Sequence, residues 1–94
     1  MNTANPQLEG LYMALAAINR LLVEKQLLTH EEIRETLAEV ERAVINDPNA
    51  HNVSPSHSKA VAFPIRLLSV ANEAAEKGVH PSFEELARHV GQQR

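Results

Sequence analysis

Near the amino terminus, apolar residues recur at alternating steps of three and four. This spacing is typical of one face of an α-helix, and it predicts a first helix from Pro6, capped by Asn5, to about Lys25. Further apolar residues lie outside this face, and only Glu9 and Arg20 are charged before position 24. The helix is therefore apolar on nearly every side and must be covered, and we expect a second copy or a different protein to supply cover that a 94-residue domain does not provide alone. The residues of the repeating face are Leu8, Leu11, Leu15, Ile18 and Leu22.

A second, amphipathic helix is predicted after a short connection at residues 26–28. Thr29 and Glu32 have the spacing of a capping box, in which each side chain accepts a hydrogen bond from the backbone N–H of the other residue. The apolar residues that follow form a single stripe, and charged residues occupy the remaining surface. One face of this helix is therefore expected to pack and the other to face water. The stripe consists of Ile33, Leu37, Val40 and Val44.

A central loop and a third helix are predicted next. The segment 46–58 contains two prolines together with Asn, Asp and Ser residues that compete with helix formation, so it is predicted to be a loop. The third helix is expected from about Lys59 to Lys77, followed by a glycine that can end it. Proline inside a helix removes a backbone donor and clashes with the preceding turn. We therefore expect this helix either to begin near Phe63 or to be kinked at Pro64.

The last helix completes a small bundle. Ser82 and Glu85 repeat the capping box and predict a short fourth helix that ends before Gly91. Four helices and only three aromatic residues predict an all-α fold, with residues 1–94 forming a single domain. The expected architecture is a small four-helix bundle made of two helical hairpins.

The two expected hairpins resemble each other in sequence. Glu24 and Lys25 precede the first turn, as Glu76 and Lys77 precede the second. Duplication of one hairpin would explain this similarity. We favour the simpler explanation that two amphipathic helices joined by a tight turn converge on a basic ending and a Ser/Thr-x-x-Glu beginning.

Composition excludes several functional classes. The chain has no cysteine, which excludes disulfides and thiolate metal sites. Its net charge is −3 and its basic residues are dispersed, so we expect no nucleic-acid binding. No apolar run approaches the roughly 20 residues of a membrane span, and no basic residue precedes the first apolar stretch as in a secretory signal. We therefore expect a cytoplasmic protein that does not bind membranes.

Negative charge is concentrated in the second helix. Residues 24–47 contain seven acidic and three basic residues, a net charge of −4. Acidic residues in the first turns of a helix complement its dipole, so a solvated acidic face explains most of them. The alternative is that this face binds a basic protein partner, because an acidic stripe steers association.

Histidines raise the possibility of a metal site. His51 and His57 lie close together in the expected loop, but the sequence contains neither HExxH nor Glu-x-x-His. We expect His30 and His80 to be solvated, and we predict no metal and no cofactor. The alternative is a small metal-binding protein or enzyme that uses the loop histidines.

Catalytic motifs are also missing from the sequence. The serines lack the Gly-x-Ser-x-Gly and Ser-x-x-Lys patterns of nucleophiles, and the three glycines are too far apart to cradle a phosphate. No pair of carboxylates points to acid–base chemistry. We therefore predict no catalytic residues and a protein that is not an enzyme.

Two short resemblances to known families occur. Residues 82–91 resemble the first helix and turn glycine of a helix-turn-helix motif, which implies DNA binding, as a nucleic-acid-binding regulator would show. A recognition helix does not follow in this sequence, and the acidic charge is unfavourable for DNA. Residues 22–28 are similar to a stretch near the amino terminus of nitrile hydratase subunits. That family has a metal–thiolate centre, which a chain without cysteine cannot form.

The hypothesis that remains is a non-catalytic interaction or regulatory module that forms a homodimer through its first helix. Burying a leucine completely stabilises a contact by about 1.5–3 kcal/mol, more than a surface ion pair at under about 1 kcal/mol. The competing hypothesis is a monomer in which the first helix packs into the core of its own chain. The expected contact residues are Leu8, Leu11, Leu15, Ile18 and Leu22.

Overall fold

The computed structural model describes residues 6–46 and 55–93, which form four α-helices. They are α1 (Pro6–Glu24), α2 (His30–Ile45), α3 (Pro55–Glu76) and α4 (Phe83–Gly91). No strand occurs in these two ranges. The predicted all-α class and small four-helix bundle are confirmed. The predicted cap at Asn5 lies outside the described residues.

Helix α3 is the central element, and α1, α2 and α4 each pack against it. Tyr12 in the first half of α1 contacts Phe63 in the first half of α3. Arg20 and Ala75, from the second halves of the same helices, line a common cavity. Helices α1 and α3 therefore run in the same direction.

Helix α2 runs in the opposite direction to α3. Glu41, late in α2, accepts a hydrogen bond from Arg66 in the middle of α3, and His30 at the start of α2 is bonded to Asn72 near the end of α3. The turn between α1 and α2 and the turn between α3 and α4 therefore lie at the same end of the bundle.

The hydrophobic core lies between α1, α3 and α4. Leu67 of α3 is buried together with three residues of α4, and Tyr12 packs against this cluster from α1. The Tyr12 ring centroid lies 6.2 Å from that of Phe63 and 6.1 Å from that of Phe83. These distances are typical of favourable aromatic pairs. The buried α4 residues are Phe83, Leu86 and Val90.

Both predicted capping boxes are confirmed. The Thr29 hydroxyl accepts from the N–H of Glu32 at 3.0 Å, and the Glu32 carboxylate accepts from the N–H of Thr29 at 2.8 Å. Ser82 and Glu85 make the same reciprocal bonds at 3.2 and 2.9 Å. The bond from the Ser82 backbone, followed by that from its hydroxyl, lowers the pKa of Glu85 below its ordinary value.

The beginning of α3 differs from the prediction. The expected loop at 46–58 is too long, because α3 already begins at Pro55. Proline suits the first position of a helix, where its missing N–H would have no partner. The expected beginning near Phe63 is also wrong, because α3 continues through Pro64. The carbonyl that loses its donor belongs to Ala60, which is exposed, so water can replace the missing bond.

Candidate interaction surface and neighbouring cavity

Helix α1 is incompletely covered by its own chain. Within Pro6–Glu24 no residue is buried, although this helix is the most apolar of the four. Four of the five predicted contact residues are exposed, and Leu22 is half-buried. The exposed four are Leu8 (43%), Leu11 (52%), Leu15 (38%) and Ile18 (52%).

These residues belong to a broader apolar surface. Successive residues of an α-helix are rotated by about 100°, which places Ala14 and Leu21 beside the predicted row. Both are exposed. We call this surface, about 140° wide by the same rotation, the outer face of α1. Its apolar residues are Leu8, Leu11, Ala14, Leu15, Ile18, Leu21 and Leu22; Gln7 lies in the same arc, and no residue of α1 within it is charged.

The opposite side of α1 contacts the rest of the protein. Tyr12 and Met13 pack against the core cluster, and Ala16 and Asn19 line a cavity shared with α3. Arg20 also lies on this side, and its Nε is 4.0 Å from a Glu24 carboxylate oxygen. One side of α1 is thus used by the fold, and the outer face, apart from the half-buried Leu22, is exposed to solvent.

A buried asparagine joins α2 to α3. Asn72 is only 6% exposed, and its Nδ2 donates to the His30 carbonyl oxygen at 2.9 Å. Its Oδ1 lies 2.8 Å from His30 Nδ1. An amide oxygen can only accept, so Nδ1 of His30 carries the proton in this bond. The expectation that His30 is solvated is therefore wrong: it is half-buried because Asn72 binds both its ring and its backbone.

Two ion pairs flank this junction. Arg66 donates to Glu41 at 2.8 Å with both side chains less than one-third exposed, and Arg34 donates to Glu76 at 2.6 Å in a more exposed position. Glu41 is thus part of the α2–α3 contact. Other acidic residues of α2 face solvent, and binding of a basic protein there stays a prediction.

A small cavity lies at the end of the bundle that carries the two turns. Its volume is about 140 Å³, and α1, α3 and the segment leading into α4 form its walls. Its polar lining consists of Asn19, Arg20, His30, Asn72 and His80. The pattern of apolar positions gives no sign of this cavity, because its residues come from four separate segments of the chain.

The structure describes only one of the two loop histidines on which the metal-site alternative rests. His57 is exposed in the first turn of α3 rather than in a loop, and His51 lies outside the described residues. The described part of the chain contains no group of three or more His, Asp or Glu residues placed to hold a metal ion. A metal-dependent function stays an untested alternative.

Comparisons with known proteins give no assignment: no family model matches the chain, and no characterised protein or solved structure is significantly similar to it. None of the helices described here is long and apolar enough to cross a membrane. The exposed apolar face of α1 is therefore the feature on which a function can be argued.

Proposed function

We propose that this protein is a non-catalytic helical interaction module that self-associates through the outer face of α1. The observation that carries the proposal is the exposure of Leu11, Leu15 and Ile18 on a face without charge. Contiguous apolar surface of this kind is typical of a protein contact rather than of a free surface.

The free energy gained by burying this face is comparable to the cost of association. Complete burial of a Leu or Ile side chain contributes about 1.5–3 kcal/mol, so covering a half-exposed one contributes about 1 kcal/mol. Eight such side chains in two copies contribute about 8 kcal/mol. Association costs about 4–15 kcal/mol, so the two terms are comparable. We therefore expect a dimer whose population depends on protein concentration.

The register of the face favours a second copy as the partner. Leu8, Leu15 and Leu22 occupy one position of a seven-residue repeat, and Leu11 and Ile18 occupy the other apolar position. A two-fold contact brings the same patch of both copies together and needs no complementary charge. The row is also symmetric in length about Leu15, with seven residues to each end.

Light scattering at several protein concentrations tests the proposal. We expect the unaltered protein to pass from monomer to dimer as its concentration rises. Leu15→Asp should shift this transition to much higher concentration, because a carboxylate would be buried without a partner. The matched control is Leu27→Asp, since Leu27 is 68% exposed but lies outside the outer face. Equal association of both variants, or a monomer at all concentrations, would refute self-association through α1.

A further inference from the structure

The cavity between α1 and α3 has the size of a small organic molecule. Its volume of about 140 Å³ is close to that of an engineered protein cavity of about 150 Å³ that holds benzene. Apolar side chains from α1, α3 and α4 form much of its wall, including Met13, Leu68 and Leu86. It therefore has room for a ligand of about six to nine non-hydrogen atoms with an apolar part.

The polar residues described in the cavity lining are all either basic residues or amides. Arg20, His30 and His80 are basic, Asn19 and Asn72 are amides, and none of the described lining residues carries a carboxylate. Elsewhere in the chain acidic residues outnumber Lys and Arg. A cavity lined in this way favours a ligand that accepts hydrogen bonds and carries negative charge.

Arg20 is the residue best suited to hold that charge. A guanidinium has five N–H donors, and its separation of 4.0 Å from Glu24 is longer than a hydrogen bond. Asn72 of α3 provides a second hydrogen-bond donor at the site. One N–H of its Nδ2 donates to the His30 carbonyl, and an amide nitrogen carries a second N–H. The pair with His30 therefore fixes the orientation of this amide at the cavity wall.

We propose that this cavity binds a small monocarboxylate with a short apolar chain. The carboxylate is held by Arg20, and the chain lies against Leu68 and Leu86. This site is independent of self-association, because Arg20 lies on the inner side of α1 and not on its outer face. A failure of one proposal therefore leaves the other unaffected.

Butyrate is a suitable probe, with butyramide as its uncharged counterpart and butylammonium as its cationic one. The measurement is the change in the amide NMR signals of the full chain at pH 7, including the side-chain signals of Asn72 and Asn19. We expect saturable shifts with butyrate at millimolar concentration, binding of butyramide at least tenfold weaker, and no saturable shift with butylammonium.

Two variants, with a third as control, locate the site. Arg20→Gln should weaken butyrate binding at least fivefold, whereas Arg34→Gln, which alters an arginine outside the cavity, should leave it unchanged. Ala75→Leu should abolish binding by filling the cavity. Three results would each overturn the proposal. They are the absence of a saturable shift at butyrate concentrations up to about 50 mM, equal binding of butyrate and butyramide, and equal effects of the two arginine variants. If a variant does not fold, the three probes on the unaltered protein still decide it.

Discussion

Gln26 and Gly78 occupy the same position in two equivalent turns that end α1 and α3. Their backbone φ angles are +62° and +77°, both in the left-handed region. In each turn the next residue donates its N–H to a carbonyl five positions earlier, at 3.0 Å after Gln26 and 2.9 Å after Gly78. Both helices thus end in a Schellman motif, but only the second has the glycine that this motif favours.

We predict that Gln26→Gly stabilises the protein. A residue with a Cβ atom is strained in the left-handed region by about 1–2 kcal/mol, and glycine removes this strain. Part of the gain is offset because glycine gives the unfolded chain more freedom, so we expect an increase of about 0.5–1 kcal/mol in the free energy of unfolding. Urea unfolding followed by circular dichroism measures it.

The control for this prediction is Gly78→Ala. A Cβ atom at position 78 would meet nothing within 4 Å, so any loss of stability comes from the backbone alone. We expect a loss of about 1 kcal/mol. An unchanged or lower urea midpoint for Gln26→Gly would contradict the strain at position 26.

The bonds between Asn72 and His30 should contribute to stability in unequal parts. Asn72→Ala removes the bonds to both the ring and the backbone of His30, and we expect a loss of about 2–3 kcal/mol in the free energy of unfolding. His30→Ala removes only the bond to the ring and should cost about 1 kcal/mol. Thermal or urea unfolding of the two variants gives the comparison.

The double variant provides the test of this coupling. Because the ring bond is already absent after His30→Ala, the further change Asn72→Ala should cost less than it does alone. Strictly additive losses would show that the two side chains do not stabilise the α2–α3 junction through each other.

The pKa of Glu85 predicts a specific dependence of stability on pH. Its folded value lies below the ordinary value of 4.5 because the carboxylate accepts from the backbone and hydroxyl of Ser82. The stabilisation is therefore complete above the ordinary pKa, and it is lost as the pH falls through the lower folded value. The unaltered protein should be more stable than Glu85→Gln at pH 7, and this difference should shrink at pH 3.

Glu84→Gln is the matched control, because Glu84 is an exposed acid in the same turn but does not cap the helix. Its stability difference from the unaltered protein should be smaller at pH 7. If Glu84→Gln and Glu85→Gln have the same pH profile, the helix dipole and not the capping box accounts for the effect.

Local patterns in the sequence predict those parts of the fold that depend on neighbouring residues. Each capping box is complete within four residues, which explains why Thr29 and Ser82 correctly mark the beginnings of α2 and α4. The periodicity of α1 likewise predicts a helix whose apolar surface extends around its axis. Gly78 marks the end of α3, whereas the turn at Gln26 carries no glycine and gives no such signal.

Features that depend on distant residues could not be predicted in the same way. Asn72 and His30 are 42 positions apart, and the sequence around either residue does not indicate a contact with the other. Nor could the pattern determine which side of α1 the fold covers, because apolar residues occur on both. Tyr12 determines which side of α1 is covered, because its ring packs against Phe63 and Phe83 and the outer face of α1 is then turned towards solvent.

Cysteine cross-linking can establish the direction of the proposed contact, because the natural chain has no cysteine to interfere. We expect an antiparallel pairing, since it aligns the helix dipoles favourably; Leu15 then lies opposite its counterpart and Leu8 lies opposite Leu22. Under mild oxidation, Leu15→Cys should then cross-link with itself. A mixture of Leu8→Cys and Leu22→Cys should give mainly mixed dimers, because opposite ends of α1 meet. Leu27→Cys, exposed but outside the outer face, should cross-link poorly. Self-linked Leu8→Cys dimers in place of mixed ones would show a parallel pairing, and efficient cross-linking only at position 27 would place the contact elsewhere.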